Sequence, residues 1–322
     1  LYIETHYPLM GDVVYTLSLA AFSLEKDGTL FQVKPARASL ILDRSLNRLE
    51  MALDWRGSSV PGSMEVEPIQ VQVRMERAAG QIWQGTSLFS LSGVRVDAPS
   101  RSAGIRNLNT RSFQTYDPEK KRVSMGIDLS VDRVMKNRED LLTDAAAGLR
   151  INHLDAAAWM AMRALWTDMI RQAADRMQAS GTGEPAEAGP VFRRVMAGFG
   201  FKLLGQADAL LKKDFSIQVA GLSARLPQGP VRADIRLALK EDTSLVGLSP
   251  AMFRPSVLLD LLALDSSVEL PARLAGQNTR LTSPVLPGMQ TGLFIRSGDQ
   301  LIHQAETRDG KLILNNRSVV LP

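Results

Sequence analysis

Three histidines, His6, His153 and His303, are the side chains of this 322-residue chain that could exchange a proton near neutrality or ligate a metal. They stand far apart, and none has the partner four residues on that would put two imidazoles on one helix face. His153 lies beside a helix entry with no Ser, Cys or Glu arrangement around it, so it reads as a local hydrogen-bonding residue rather than a base. Cysteine is absent, which removes disulfides, thiolate ligands and thiol nucleophiles together. The sequence has no Gly-x-Ser-x-Gly elbow, no His-Glu-x-x-His and no Gly-rich phosphate loop ending in Lys-Ser/Thr. Asp128 and Asp132 alternate along a strand, on a face expected to meet solvent. A carboxylate pair for glycoside hydrolysis would have to be assembled by the fold. The expectation is no catalytic residue, no metal and no cofactor.

The second chemistry available is apolar contact. Trp159, Met162, Trp166, Met169, Ala173 and Met177 recur at steps of three or four and line one face of a helix, with Arg163, Asp168, Arg171 and Asp175 opposite. Asp155 precedes the run and can cap its first turn. A Gly- and Pro-broken stretch from Ser180 to Pro190 leads to a second stripe, Phe192, Met196, Phe199, Leu203, Ala207 and Leu210. Each one-faced helix has to bury its face against something. Trp159, Met162, Trp166, Met169, Phe199 and Leu203 are the residues expected to line any apolar groove. They suit a core equally well, since burying a Trp or Phe is worth about 1.5–3 kcal/mol.

Almost everything else alternates with period two. Val13, Tyr15, Leu17 and Leu19 share a face; so do Leu49, Met51, Leu53 and Trp55; so do Ile69, Val71, Val73 and Met75; so do Val123, Met125, Ile127, Leu129 and Val131. Val231 to Leu239 answers Phe215 to Val219 across the turn Leu226-Pro227-Gln228-Gly229, and Asp309-Gly310 signals a hairpin near the end. Gly57 to Gly62 and Arg101 to Asn107 read as loops, and Lys136 to Asp144 as a charged insert. The fold expected is α+β: mostly antiparallel, elongated, curved sheet with a central amphipathic helical hairpin from about Asp155 to Lys213. Residues 1–150 form an N-terminal β region and 151–322 the hairpin with a C-terminal β region, unless both are one elongated domain. Such a sheet could curl around the helices or leave an open greasy groove, and periodicity does not choose between these.

Composition narrows the class. Hydrophobic content of 45% and charged content of 22% exclude global disorder. The net charge of +4 comes from 38 basic and 34 acidic residues interspersed along the chain, with no basic run carrying aromatics, so nucleic acid is not an expected partner. No 18-residue apolar run spans a bilayer. The chain starts at Leu1, and a leader or anchor ahead of it is expected.

The order of features resembles a known family. The segment Gln81-Ile82-Trp83-Gln84-Gly85-Thr86-Ser87, the helix entry Ile151-Asn152-His153-Leu154-Asp155-Ala156, the turn Leu226-Pro227-Gln228-Gly229 and the tail Asp309-Gly310-Lys311-Leu312-Ile313-Leu314-Asn315 are similar to the YdgA-like family of bacterial envelope proteins of unknown function. The resemblance covers roughly residues 80 to 322. It implies a periplasmic body anchored to the inner membrane of a Gram-negative bacterium through an N-terminal segment. It brings no catalytic residues: Gly85, Gly229 and Gly310 serve the backbone, Leu154 packs and Asp155 caps. The function expected is a non-enzymatic envelope protein that binds a lipid or a protein partner through an apolar sheet and helix groove, with a homodimer among the compatible assemblies. The alternative is a hydrolase of an envelope polymer with an acid pair assembled in space.

Overall fold

A computed structural model describes residues 2–8, 11–98, 101–179, 196, 198–199, 202, 205–206, 208–244, 255–276 and 285–319. The strands in chain order are β1 (Tyr2–His6), β2 (Val13–Leu19), β3 (Phe22–Lys26), β4 (Thr29–Val33), β5 (Ala36–Leu42), β6 (Arg48–Trp55), β7 (Ser58–Val60), β8 (Met64–Val66) and β9 (Ile69–Ala79). Four long strands follow: β10 (Ile82–Ala98), β11 (Arg101–Asp117), β12 (Arg122–Lys136) and β13 (Glu139–Asp155). Helix α1 (Ala156–Ala179) comes next, then β14 (Ser216–Leu226), β15 (Gly229–Leu239), α2 (Pro255–Leu261), β16 (Leu262–Pro271) and α3 (Val285–Gln290). The chain closes with β17 (Ile295–Ser297), β18 (Gln300–Arg308), β19 (Lys311–Leu314) and β20 (Arg317–Val319).

These strands form one antiparallel sheet. Hydrogen bonding passes from β1 to β2, β5, β6 and β9, then through β10 to β16 in sequence order, and on to β18, β19 and β20. β10 is long enough to serve two neighbours: Ile82 to Leu91 pair with β9, while Val94 to Val96 pair with β8. Through β8 and β7 that upper end carries the β3–β4 hairpin. Tight turns use consecutive left-handed residues, as two-residue hairpins require: Asp27-Gly28 (φ 53 and 70), Asn137-Arg138 (52 and 67) and Asp309-Gly310 (51 and 70).

Three sequence expectations need correction. Ser58–Val60 is a strand within the expected loop at 57–62. Arg101 to Asn107 opens β11, whose partners on β10 and β12 satisfy its backbone despite its polar side chains. The charged insert is a two-residue turn, with Glu139 already paired to Lys136. Side-chain polarity misleads here because a strand open to water on one face tolerates any residue that can pair. The first helix of the expected hairpin is present as α1, and Asp155 Oδ1 accepts the amide of Ala158 at 3.0 Å as its cap. Most of the second helix, including Leu203, lies outside the described residues.

Because cross-strand partners share a face, the register assigns each side chain to a side of the sheet. One transverse row reads Tyr15, Leu40, Met51, Val73, Ser87, Ser112, Ile127, Leu149, Val219, Ile235, Ser266, Ala305 and Leu314, one residue from each of thirteen strands. At about 4.8 Å per strand it runs roughly 58 Å. The central apolar residues of most of these strands therefore fall on the same side of the sheet, while Leu88, Val94, Ile105 and Val134 fall on the other.

Candidate functional site

That shared side is largely uncovered. Leu17, Met51, Ile127, Leu129, Leu149, Ile217, Ile235 and Leu237 all lie on it, and each is 38–41% exposed. An amphipathic sheet normally buries such a face against a second layer. Among the described residues cover is local: Leu91 and Val131 are buried toward one end of the long strands, Ser266 and Ala305 are buried on β16 and β18, and Val123 is buried at the other end, with the stretch between them open. Along β12, Val123 is fully buried while Ile127 and Leu129, on the same face of the same strand, are each 41% exposed. The cover at Val123 comes from the start of α1: Ile82, Val123, Leu154 and Ala156 make a cluster against which Trp159, Met160, Leu210 and Phe215 pack. Beyond it, Met75, Ser87, Gln114, Met125, Ile127 and Ile151 help to line a shallow, predominantly apolar hollow of about 530 Å³. Its walls are strand residues locked by ladder hydrogen bonds, so the hollow is preformed.

The residues singled out on the helices are divided by the fold. Met169 is fully buried and forms a small core with Ala173, Phe199, Leu165 and Met196. Trp159 packs into the cluster at the helix start, and Met162 is half-buried. Trp166 points away from the buried line and is 47% exposed. The buried line of α1 steps through 158, 165, 169 and 173, and Trp166 stands about 100° round the helix from Leu165 and about 60° round from Met169. The larger apolar surface lies on the strands, and alternation in β12, β13, β14 and β15 was its signal.

Among the described residues the titratable groups do not converge on this surface as a reactive centre. His6 sits on the exposed strand β1. His153 adopts a left-handed conformation (φ 61) where β13 slips register against β12, and its Nδ1 donates to the Asp214 carbonyl at 3.0 Å. That is the bonding role read from the sequence. His303 was not singled out as part of a pair, yet its Nε2 is 2.9 Å from Ser266 Oγ, with Nδ1 donating to the Leu293 carbonyl at 3.0 Å. A serine and a base at this distance invite a nucleophile reading. Against it, Ser266 is buried mid-strand between β15 and β18, its hydroxyl also lies 3.4 Å from the Ala305 carbonyl, and the flanking amides are engaged in the ladder and cannot form an oxyanion hole. We read the pair as a brace joining β16, β18 and the Leu293 turn.

Asp128 bonds Arg150, and Asp132 accepts from Asn107 Nδ2 at 2.6 Å, both on the polar side of the sheet. Among the described residues no group of three His, Asp or Glu side chains could hold a metal. The groups displaced from their ordinary pKa belong to the first strands. The Tyr15 hydroxyl is raised, chiefly by its hydrogen bond with Tyr7, and the Asp43 carboxyl is lowered, chiefly by Ser45 and then by the Arg48 amide. No helix among the described residues is long and apolar enough to cross a membrane.

A family model described as a bacterial protein of unknown function (DUF945) matches the chain over residues 1–322. No curated protein and no solved structure matches.

Proposed function

The chain belongs to DUF945, a family of bacterial proteins of unknown function, and from that premise we propose that it is a non-enzymatic envelope protein whose apolar sheet face holds the hydrocarbon part of a lipid. One observation carries the reading: aliphatic side chains of four neighbouring strands, Ile127 and Leu129 on β12, Leu149 on β13, Ile217 on β14 and Ile235 and Leu237 on β15, share one face of the sheet and are each 38–41% exposed. Contiguous apolar surface left open to water costs free energy unless something covers it. A lipid tail suits this patch because it runs across several strands and the hollow beside it is predominantly apolar. Its polar positions are single hydroxyls and amides such as Ser87, Ser112 and Gln114. The absence of cysteine is compatible with an oxidising periplasm, and attachment to the inner membrane would bring the face to its ligand.

The test is native mass spectrometry of protein purified from its host membranes, followed by solvent extraction of whatever it carries. A stoichiometric lipid on the parent, absent from an Ile127→Thr/Leu149→Thr variant with unchanged circular dichroism, is the expected result. Protein that is free of lipid and instead carries a stoichiometric protein partner would replace the lipid reading with a docking one.

A further inference from the structure

The opposite side of the same strands carries a hollow of about 610 Å³ over β9 to β14, in which Leu88, Ala146 and other apolar groups supply much of the surface and a set of polar side chains stands among them. It lies within the range of small-ligand sites, and it is independent of the apolar face. Arg150 is fixed at its floor. Its guanidinium lies over the Phe113 ring at 4.9 Å, Nη1 donates to the carbonyls of Ile127 and Leu149 at 3.2 Å each, and Nη2 donates to the Asp128 carboxylate. Two glycines leave room for this stack. A Cβ on Gly126 would stand 2.7 Å from both Arg150 Cδ and Phe113 Cζ, and one on Gly148 would stand 2.9 Å from Asp128 Oδ1. Arg111 is the direct cross-strand partner of Asp128. That carboxylate is nevertheless taken by Arg150, and no acidic group among the described residues lies within 4.0 Å of Arg111. Asp128 thus pairs with Arg150 alone, and two guanidinium groups beside one carboxylate leave a net positive charge of one in the lining of the hollow. The rest of the lining includes the amides of Gln70, Gln72 and Asn109 and the hydroxyls of Ser90 and Ser130.

We propose that this hollow binds a hydroxyl-rich oxyanion, a sugar acid or a sugar phosphate, with Arg111 holding the anion. A free guanidinium presents the planar fork that matches carboxylate and phosphate oxygens. Side-chain amides and hydroxyls both donate and accept, as vicinal sugar hydroxyls require. The Phe113 ring is covered by Arg150, so it is not available to stack a nucleobase. This favours a carbohydrate over a nucleotide. A merely solvated polar face would not need the glycine-cleared stack that holds Arg150 against Asp128 and leaves Arg111 free.

The experiment is isothermal titration of the full chain with glucuronate, glucose 1-phosphate, glucose and inorganic phosphate at matched ionic strength. One or both sugar anions should bind at least tenfold more tightly than glucose or phosphate alone, and the stronger of the two identifies the anion. Arg111→Ala should weaken that binding at least tenfold. Asp128→Asn should tighten it severalfold, because the local charge rises from +1 to +2 while Arg150 keeps its carbonyl bonds and its ring. A purely structural cluster would not give opposite signs. Absence of binding at millimolar concentration overturns the proposal. So does parity between phosphate and the sugar phosphate, or between glucose and the sugar anions. An unchanged affinity in a folded Arg111→Ala protein also overturns it.

Discussion

If the aliphatic row binds a hydrocarbon chain, substitutions within it should separate affinity from stability in a way that core substitutions cannot. Ile127 and Leu149 are cross-strand partners, each 41% exposed. Fully burying such a side chain is worth about 1.5–3 kcal/mol, so covering the remaining two-fifths recovers about 0.8 kcal/mol at each position. Ile127→Thr/Leu149→Thr should then cost about 1.6 kcal/mol of binding, a loss of roughly 10- to 15-fold in affinity at about 1.4 kcal/mol per decade. Threonine retains strand preference, so the ladder should survive. Val123 is the control: it is on the same face of β12 but fully buried under α1. Val123→Ala should cost about 2 kcal/mol of folding stability and leave affinity unchanged. The assay is displacement of a fluorescent fatty acid, an anthroyloxy-stearate, beside urea denaturation of each variant. Affinity within twofold of the parent in the folded double variant would refute the reasoning, as would an equal loss of affinity in Val123→Ala.

Asp155→Ala should lower stability by about 1 kcal/mol in urea denaturation, because the Ala158 amide loses its acceptor at the start of α1. Gly85→Ala should cost more than 2 kcal/mol, since its φ is +148 and a Cβ would lie 2.0 Å from the Arg74 carbonyl oxygen; a thermal melt within 1 °C of the parent would contradict it. Asp43 accepts the amides of Asn47 and Arg48 at 2.6 Å each and the Ser45 hydroxyl, and its pKa is depressed in the fold. Its contribution is therefore fully present above the unfolded carboxylate pKa of about 3.9 and is lost as pH falls through the lower folded value. Asp43→Asn should be less stable than the parent at pH 7, with the gap closing below about pH 4. Ser266→Ala should be destabilised by about 1–3 kcal/mol through the unsatisfied His303 ring, and the parent should show no labelling by a fluorophosphonate.

The strands were legible because alternation is a local property. The period-two pattern of Ile69 to Met75 and of Val123 to Val131 marks which side chains share a face whatever the strands pair with. The cap at Asp155, the bonding role of His153 and the hairpin at Asp309-Gly310 were legible for the same reason, since each depends on its own few residues. The first part of β11 was not, because Arg101 to Asn107 owes its conformation to partners on β10 and β12 that its polar composition does not announce.

Site assignment divides along the same line. Sequence offered the aromatic and methionine residues of the helices as core or as the lining of any groove, and Met169 and Phe199 belong to a small core and Trp159 to the cluster at the start of α1. The Ser266–His303 brace and the three-residue arrangement of Arg111, Asp128 and Arg150 come from different strands and have no linear signature. By itself, then, the sequence determined that the strands are one-faced, where most of them turn and how α1 begins. Only the tertiary structure decided that the apolar faces of β12 to β15 align into one exposed patch and that Asp128 pairs with Arg150 rather than with its cross-strand partner Arg111. The physical reason is that alternation records which side of a strand avoids water, while register and cover depend on neighbours supplied from elsewhere in the chain.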